Sequence, residues 1–273
     1  MTYEEFWRPL MQIYDQGEAK ALAQLVFELR FGLTLADTLC GRTGDEDELH
    51  QIQGRLLQGE PVQYVLGLAE FGPFVFHVRP GVLIPRPETY ELCQWCLPSS
   101  THDWKGSILD IGTGSGCIAC TLAALLPQAQ VTAWDISESA LSIARENAEH
   151  THVNVSFEQV DALNIPPLTT VRWDIIVSNP PYICEQERTT MERNVLDYEP
   201  KEALFVPDED PLLFYHTISE YALETLNPSG TLFFEINPLY AEALRKHLEA
   251  KGFCVEQRED LFGKIRFIKA IRP

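Results

Sequence analysis

No apolar run in these 273 residues approaches the roughly 20 that a helix needs to cross a bilayer, so no membrane partner is expected. The opening Met1-Thr2-Tyr3-Glu4-Glu5 lacks the basic-then-apolar order of a secretory signal, and the chain is expected to be soluble and cytoplasmic. Basic residues are scarce: 21 Lys and Arg stand against 40 Asp and Glu, a formal charge of −19. Proteins that grip free nucleic acid neutralise its phosphates with a basic face and release counterions, so DNA and RNA are poor expected partners. A protein or small-molecule substrate suits the charge better. A disulfide framework is missing as well, because the seven cysteines are odd in number and scattered at 40, 93, 96, 117, 120, 184 and 254. Cys93-x-x-Cys96 and Cys117-x-x-Cys120 have the spacing of half a zinc site. Both lie in helical pattern with no accompanying His or Cys knuckle, so they read as small buried hydrophobes and no metal is expected. Internal repeats and low-complexity segments are also lacking.

What is present is 45% hydrophobic residues, enough for a catalytic domain plus a small one. Over residues 2–58, Phe6, Leu10, Ile13 and Tyr14, then Leu22, Leu25, Val26 and Leu29, recur at three- and four-residue spacing, which predicts a helical bundle. Thr43 or Asp45 is expected to cap a further helix through Leu49, Ile52, Leu56 and Leu57, ended by Gly59-Glu60-Pro61. Alternation over 74–78 and the run Val82-Leu83-Ile84, separated by Arg79-Pro80-Gly81, predict a short hairpin. Beyond it strands and helices alternate: strands at 107–111, 131–134, 154–157, 174–178, 230–235, 253–256 and 265–270, with helices at 116–126, 137–149 and through Leu244 and Leu248. Such β-α repetition implies an α/β, Rossmann-like fold with a mostly parallel sheet covered on both faces. The expected division is a helical domain at 1–68, a hairpin linker at 69–88 and a catalytic domain at 89–273.

Asp110-Ile111-Gly112-Thr113-Gly114-Ser115-Gly116 falls where the first of these strands hands over to a helix, and glycines there let the backbone turn sharply and approach a ligand. Asp135 ends the next strand, where a carboxylate can accept hydrogen bonds from both ribose hydroxyls of an adenosine group. Asp161, near the end of the third strand, falls where a polar group reaches an adenine amine or simply shapes a turn. NAD-dependent enzymes use nearly the same arrangement, so the pattern predicts a nucleotide-like cofactor without naming it.

The strand at 174–178 runs into Asn179-Pro180-Pro181-Tyr182, which sets these four residues at the carboxyl end of the sheet beside the cofactor crevice. The prolines restrict φ and lack N–H groups, so the Pro180 carbonyl and the Asn179 side-chain oxygen can act as two rigid acceptors. An NH₂ group has two hydrogens to give them. Held so, a planar amide or amine nitrogen faces a methyl donor, and Tyr182 covers the planar group with its ring.

These residues resemble the peptide chain release factor glutamine methyltransferases, the PrmC/HemK family, and the resemblance covers nearly the whole chain. It extends to Gly59-Glu60-Pro61-Val62-Gln63-Tyr64-Val65-Leu66-Gly67, to Phe71-Gly72, and to Leu83-Ile84-Pro85-Arg86-Pro87-Glu88-Thr89. The resemblance implies S-adenosylmethionine as cofactor, S-adenosylhomocysteine as product, and as substrate the glutamine of the Gly-Gly-Gln motif in bacterial class 1 release factors. It further implies that Gly112, Thr113, Gly114, Ser115, Gly116 and Asp135 bind the cofactor, that Asn179 serves both cofactor and glutamine, and that Pro180, Pro181 and Tyr182 complete the glutamine pocket. Glu199-Pro200 with Ala203-Leu204 resembles the segment that packs behind this loop, and Arg86 is expected near the cofactor or paired with an acid. The chain departs from the family pattern at Tyr90, where a glutamate is common, and at Ala162, where some members carry an aromatic residue. Two other functions fit parts of the pattern: a DNA or RNA methyltransferase acting on exocyclic base amines, and a noncatalytic protein that binds the cofactor. The acidic balance and the want of a large basic region after Asp197 oppose the first, and the intact Asn179-Pro180-Pro181-Tyr182 opposes the second.

Overall fold

The computed structural model describes residues 1–99, 101, 103–165 and 171–272. Helices come first: α1 (Tyr3–Leu10), α2 (Gln16–Phe31), α3 (Leu35–Leu39), α4 (Glu46–Leu56) and α5 (Val62–Leu66). Their starts are chemically marked. Thr2 and Glu5 form a reciprocal capping box, as do Thr34 and Asp37, while the Asp15 carboxylate accepts from the Glu18 N–H. Of the two candidate caps for α4, Asp45 accepts from the Glu48 N–H, whereas the Thr43 hydroxyl donates to the Met1 carbonyl. Phe6, Leu10, Ala23, Val26, Phe27, Leu49, Ile52 and Leu56 make the shared core. Because α1 stops at Leu10, Ile13 falls past its end and is exposed, and the Tyr14 hydroxyl instead donates to the Leu56 carbonyl at 3.1 Å.

Strands β1 (Leu68–Phe71) and β2 (Phe74–His77) form a hairpin. The run at 74–78 therefore pairs upstream and not with Val82-Leu83-Ile84, as its spacing suggested. Gly72 takes φ 58 at the turn, a conformation that costs little only to glycine, and this redirects the pairing. Val82 and Ile84 are buried but form no ladder. Tyr90 lies edge-on to Phe71 at 5.5 Å, and a Cβ on Gly72 would come within 2.3 Å of its ring. The aromatic residue at position 90 is thus a packing element for the hairpin.

The rest runs α6 (Pro87–Cys96), β3 (Ser107–Ile111), α7 (Cys117–Leu125), β4 (Gln130–Asp135), α8 (Glu138–His150), β5 (Ser156–Gln159), β6 (Trp173–Ser178), β7 (Ile183–Cys184), α9 (Arg193–Tyr198), β8 (Phe205–Val206), α10 (Leu213–Thr225), β9 (Leu226–Glu235), α11 (Ala241–Ala250), β10 (Cys254–Glu259) and β11 (Ile265–Ile271). The seven-stranded sheet has the order β10-β11-β9-β6-β3-β4-β5. Its pairings are parallel from β9 through β6, β3 and β4 to β5, and β11 is antiparallel to both β9 and β10. The mostly parallel α/β expectation is met, and burial on both faces explains the continuous apolar strands Ile175-Ile176-Val177 and Leu232-Phe233-Phe234. Leu92, Cys93, Ile118, Cys120 and Leu122 cover one face; Tyr215, Ile218, Ala222, Leu244 and Leu248 cover the other.

Helix α10 is invisible to cap and periodicity arguments. Leu212 at its start offers no capping hydrogen bond, and Phe214, Tyr215, Thr217 and Ile218 are indifferent helix formers, so its buried face is what holds it. A tight turn joins β10 to β11. The Asp260 carboxylate accepts from the Phe262 and Lys264 N–H groups at 2.9 and 3.0 Å and from Arg266 Nε at 3.2 Å, and Gly263 takes φ 76.

The chain divides into two compact units. One comprises Met1–Ala69, Val78–Pro80 and Met191–Glu199, and the other Glu70–His77, Gly81–Thr190 and Pro200–Pro273. Helix α9 belongs to the first, where the Tyr198 hydroxyl donates to the Gln58 carbonyl at 3.2 Å. No helix among the described residues is long and apolar enough to cross a membrane.

Candidate active site

After β4 and β5 are laid outward from β3, the chain returns to place β6 on β3's other side, and the crevice opens where the order reverses. The glycine turn borders it. Gly112, Gly114 and Gly116 take φ 75, 56 and 81, and the N–H groups of Gly112 and Thr113 both donate to the Trp134 carbonyl at 2.9 Å. The three glycines differ in duty. A Cβ at Gly112 or Gly114 would meet nothing within 4 Å, so these two leave a cradle open, whereas a Cβ at Gly116 would lie 2.9 Å from the Ala144 Cβ. Gly116 thus lets α7 start against α8. Gly116→Ala is expected to cost about 3 kcal/mol in urea unfolding, from strain plus the clash, while Gly252→Ala, at φ 94 with open space, costs about 1 kcal/mol. Equal losses would remove the packing explanation.

Beneath the turn, Asp110 is fully buried; its Oδ2 accepts from the Thr113 hydroxyl at 2.6 Å, and its Oδ1 has no hydrogen-bond partner among the described residues. Burial pushes this carboxyl up to about 7, against the pull of the Thr113 hydrogen bond. Ser115 is buried, and its carbonyl accepts from Asn147 Nδ2 at 2.8 Å. Asp135 Oδ2 accepts from the Gly114 N–H at 2.8 Å and Oδ1 from the Ser137 N–H at 2.9 Å, which leaves a further lone pair on each oxygen. Burial raises its pKa, opposed by those N–H groups. The next residue, Ile136, is 61% exposed, an apolar surface beside the carboxylate that sequence reasoning did not name. Its signal was an apolar residue between a strand-ending Asp and the cap Ser137. The Val160 N–H donates to the Asp135 carbonyl at 3.0 Å, which brings Asp161 close; the Asp161 oxygens accept from the Leu163 N–H and Asn164 Nδ2, shaping its own turn.

Pairing of Ile111 with Ser178 makes Asn179 leave the sheet beside Gly112, and the Ser178 hydroxyl donates to the Ile111 carbonyl at 2.7 Å. Pro180 is buried; Asn179, Pro181 and Tyr182 are partly so. Asn179 Nδ2 donates to Thr89 Oγ1 at 3.2 Å, and Thr89 donates to Glu235 Oε2 at 2.6 Å. The Tyr182 hydroxyl donates to Glu235 Oε1 at 3.1 Å, and Asn237 Nδ2 donates to the Tyr182 carbonyl at 3.1 Å. Burial raises the Glu235 pKa, with the Thr89 and Tyr182 hydrogen bonds and the Arg266 charge opposing; burial also drives the Tyr182 phenol well above its ordinary value. Arg86, just before α6, acts on Tyr182 through its charge. Just past Tyr182, the Ile183 N–H donates to the Leu204 carbonyl at 3.0 Å, and β8 pairs with β7.

Cys93, Cys96, Cys117 and Cys120 are buried in the core, and burial pushes the last two thiols up to about 12. Among the described residues no group of three or more His, Cys, Asp or Glu is arranged to hold a metal ion.

The family model of the Methyltransferase small domain matches residues 94–199. A release factor glutamine methyltransferase of Bacteroides thetaiotaomicron is 46% identical over 269 residues, covering 96% of this chain and 96% of its own. One from Flavobacterium psychrophilum is 38% identical over 276 residues, covering 97% and 96%. A solved methyltransferase structure from Pyrococcus furiosus, 19% identical, matches with TM-score 0.55 over 81% of this chain and 97% of that one, a likeness of fold. Relatives so similar over nearly the full length, on a class I methyltransferase fold, mean that the chain belongs to the release factor glutamine methyltransferases, a family of S-adenosylmethionine-dependent enzymes.

Proposed function

We propose that this enzyme methylates the side-chain amide nitrogen of the glutamine in the Gly-Gly-Gln motif of bacterial class 1 release factors. The observation that carries the reading is the Asn179 amide, whose NH₂ is engaged by Thr89 and whose oxygen is therefore left as an acceptor beside the glycine turn. S-adenosylmethionine supplies a methyl group already activated on a sulfonium. Gly112 and Gly114 leave room for it, Gly116 and Ser115 hold the turn's shape, Thr113 ties the turn to Asp110, and Asp135 has lone pairs for two ribose hydroxyls. Ile136 and Asp161 flank the place of the adenine.

Asn179 Oδ1 and the Pro180 carbonyl accept the two amide hydrogens of the glutamine. An amide nitrogen is a poor nucleophile because its lone pair is delocalised, so these acceptors orient it and stabilise the positive charge that grows on it during transfer; the N-methyl amide cation so formed is a strong acid and gives its surplus proton to water, with S-adenosylhomocysteine as the other product. Pro181 stiffens the loop, and the Tyr182 ring covers the planar amide. The helical domain, residues 1–68, docks the protein substrate. All seven cysteines are free, which suits a cytoplasmic enzyme.

The test is incubation with methyl-labelled S-adenosylmethionine and an unmethylated release factor, its Gly-Gly-Gln→Gly-Gly-Ala variant, and single- and double-stranded nucleic acid, with label located by mass spectrometry. Label on the glutamine, lost in the variant, is expected. Label on nucleic acid alone would keep amine methylation and overturn the substrate.

A further inference from the structure

We propose that Glu235 is the positioning residue of the amide pocket: through the Thr89 hydroxyl it decides which end of the Asn179 amide faces the substrate, and through Tyr182 it holds the covering ring. A threonine hydroxyl has one hydrogen to give. Thr89 gives it to Glu235 Oε2 at 2.6 Å, the short distance of a bond to a carboxylate. Toward Asn179, 3.2 Å away, the same oxygen can then only accept, so the group that meets it is Nδ2 and the oxygen Oδ1 is turned the other way. Take away the carboxylate and the hydroxyl hydrogen is free to swing to Asn179. The amide can then turn over, presenting two donors to a substrate NH₂ that can itself only donate.

The second Glu235 oxygen takes the Tyr182 hydroxyl at 3.1 Å, so one buried side chain holds both the acceptor and the ring. Glu235 is itself well anchored. It is 2% exposed, ends β9, and follows Phe234, which pairs with Ser178 immediately before Asn179. From β11, the charge of Arg266 offsets part of the burial. A glutamine in its place could accept from Thr89 or from Tyr182, and would turn an NH₂ toward the other.

This inference rests on the glutamine-methylating reading, and the same release-factor assay separates the two. Thr89→Ser keeps the hydroxyl and is expected to retain most of the rate. Thr89→Val keeps the shape without the hydroxyl and is expected to lose about 10- to 100-fold in kcat, with the S-adenosylmethionine Kd within about 3-fold of wild type. Equal rates for the two variants, whether high or low, would overturn the relay. Should Thr89→Val fail to fold by circular dichroism, Glu235→Gln decides: a lowered kcat with cofactor affinity intact supports the proposal, and a wild-type kcat, or parallel loss of both, overturns it. If wild-type enzyme leaves the glutamine unlabelled, the functional reading fails and takes the inference with it.

Discussion

Asn179→Ala is expected to lower kcat for release factor methylation by roughly 10²- to 10³-fold, the loss typical when one fixed hydrogen-bonding group is taken from a developing charge. The Pro180 carbonyl remains, but a single acceptor leaves the amide free to rotate about one hydrogen bond, and the nitrogen no longer faces the methyl group for a useful share of the time. Fold is spared, because Asn179 is partly exposed and lies beyond the last sheet pairing, at Ser178. The melting temperature is expected to stay within about 5 °C of wild type. Single-turnover kinetics with enzyme in excess measure the chemical step directly; a rate within 3-fold of wild type would strip Asn179 of its role.

Asp135→Ala is expected to weaken S-adenosylmethionine binding by about 10²-fold, read by calorimetry. Two hydroxyls donating to one ionised carboxylate are worth about 3 kcal/mol together when the site excludes water. The variant also strips the Gly114 and Ser137 N–H groups of their acceptor, so the glycine turn loses its tie to the end of β4. Its effect therefore falls on cofactor affinity, whereas that of Asn179→Ala falls on rate. Asp135→Asn, which keeps the shape but gives up the charge and one acceptor, is expected to fall between. Unchanged affinity in both would mean that the ribose is held elsewhere.

The parts of the candidate site that the sequence marks out are those whose residues are contiguous. Asp110 through Gly116, Asp135, and Asn179 through Tyr182 each sit at the carboxyl end of a strand whose apolar run announces it, so position and residue type reinforced one another. Thr89 and Glu235 had no such support. They are 146 positions apart and meet only because β9 lies beside β6 while α6 starts close to the end of that strand. A glutamate closing an apolar strand reads as a solvated end until the neighbouring strand is known. The hairpin partner of β2 was missed for a local reason, since Leu68-Ala69-Glu70-Phe71 alternates weakly and the deciding feature is the backbone of Gly72. Helix α10 was missed because it is stabilised by what it packs on and carries no signal of its own at its ends.

The place of β11 in the sheet bears on how the chain reaches its fold during synthesis. Glu235, the end of β9, leaves the ribosome 30 residues before Ile265, so for that interval β9 stands as an unpaired edge carrying Leu232, Phe233 and Phe234. Apolar edges of this kind recruit strands from other nascent chains. The remedy is local: β10 and β11 are joined by the turn that Asp260 organises, so they can form a hairpin within microseconds of emerging and dock as one piece. Weakening that turn, far from any reacting atom, would lengthen the exposure of β9 and lower the yield of native enzyme before it touched the rate of the enzyme that did fold.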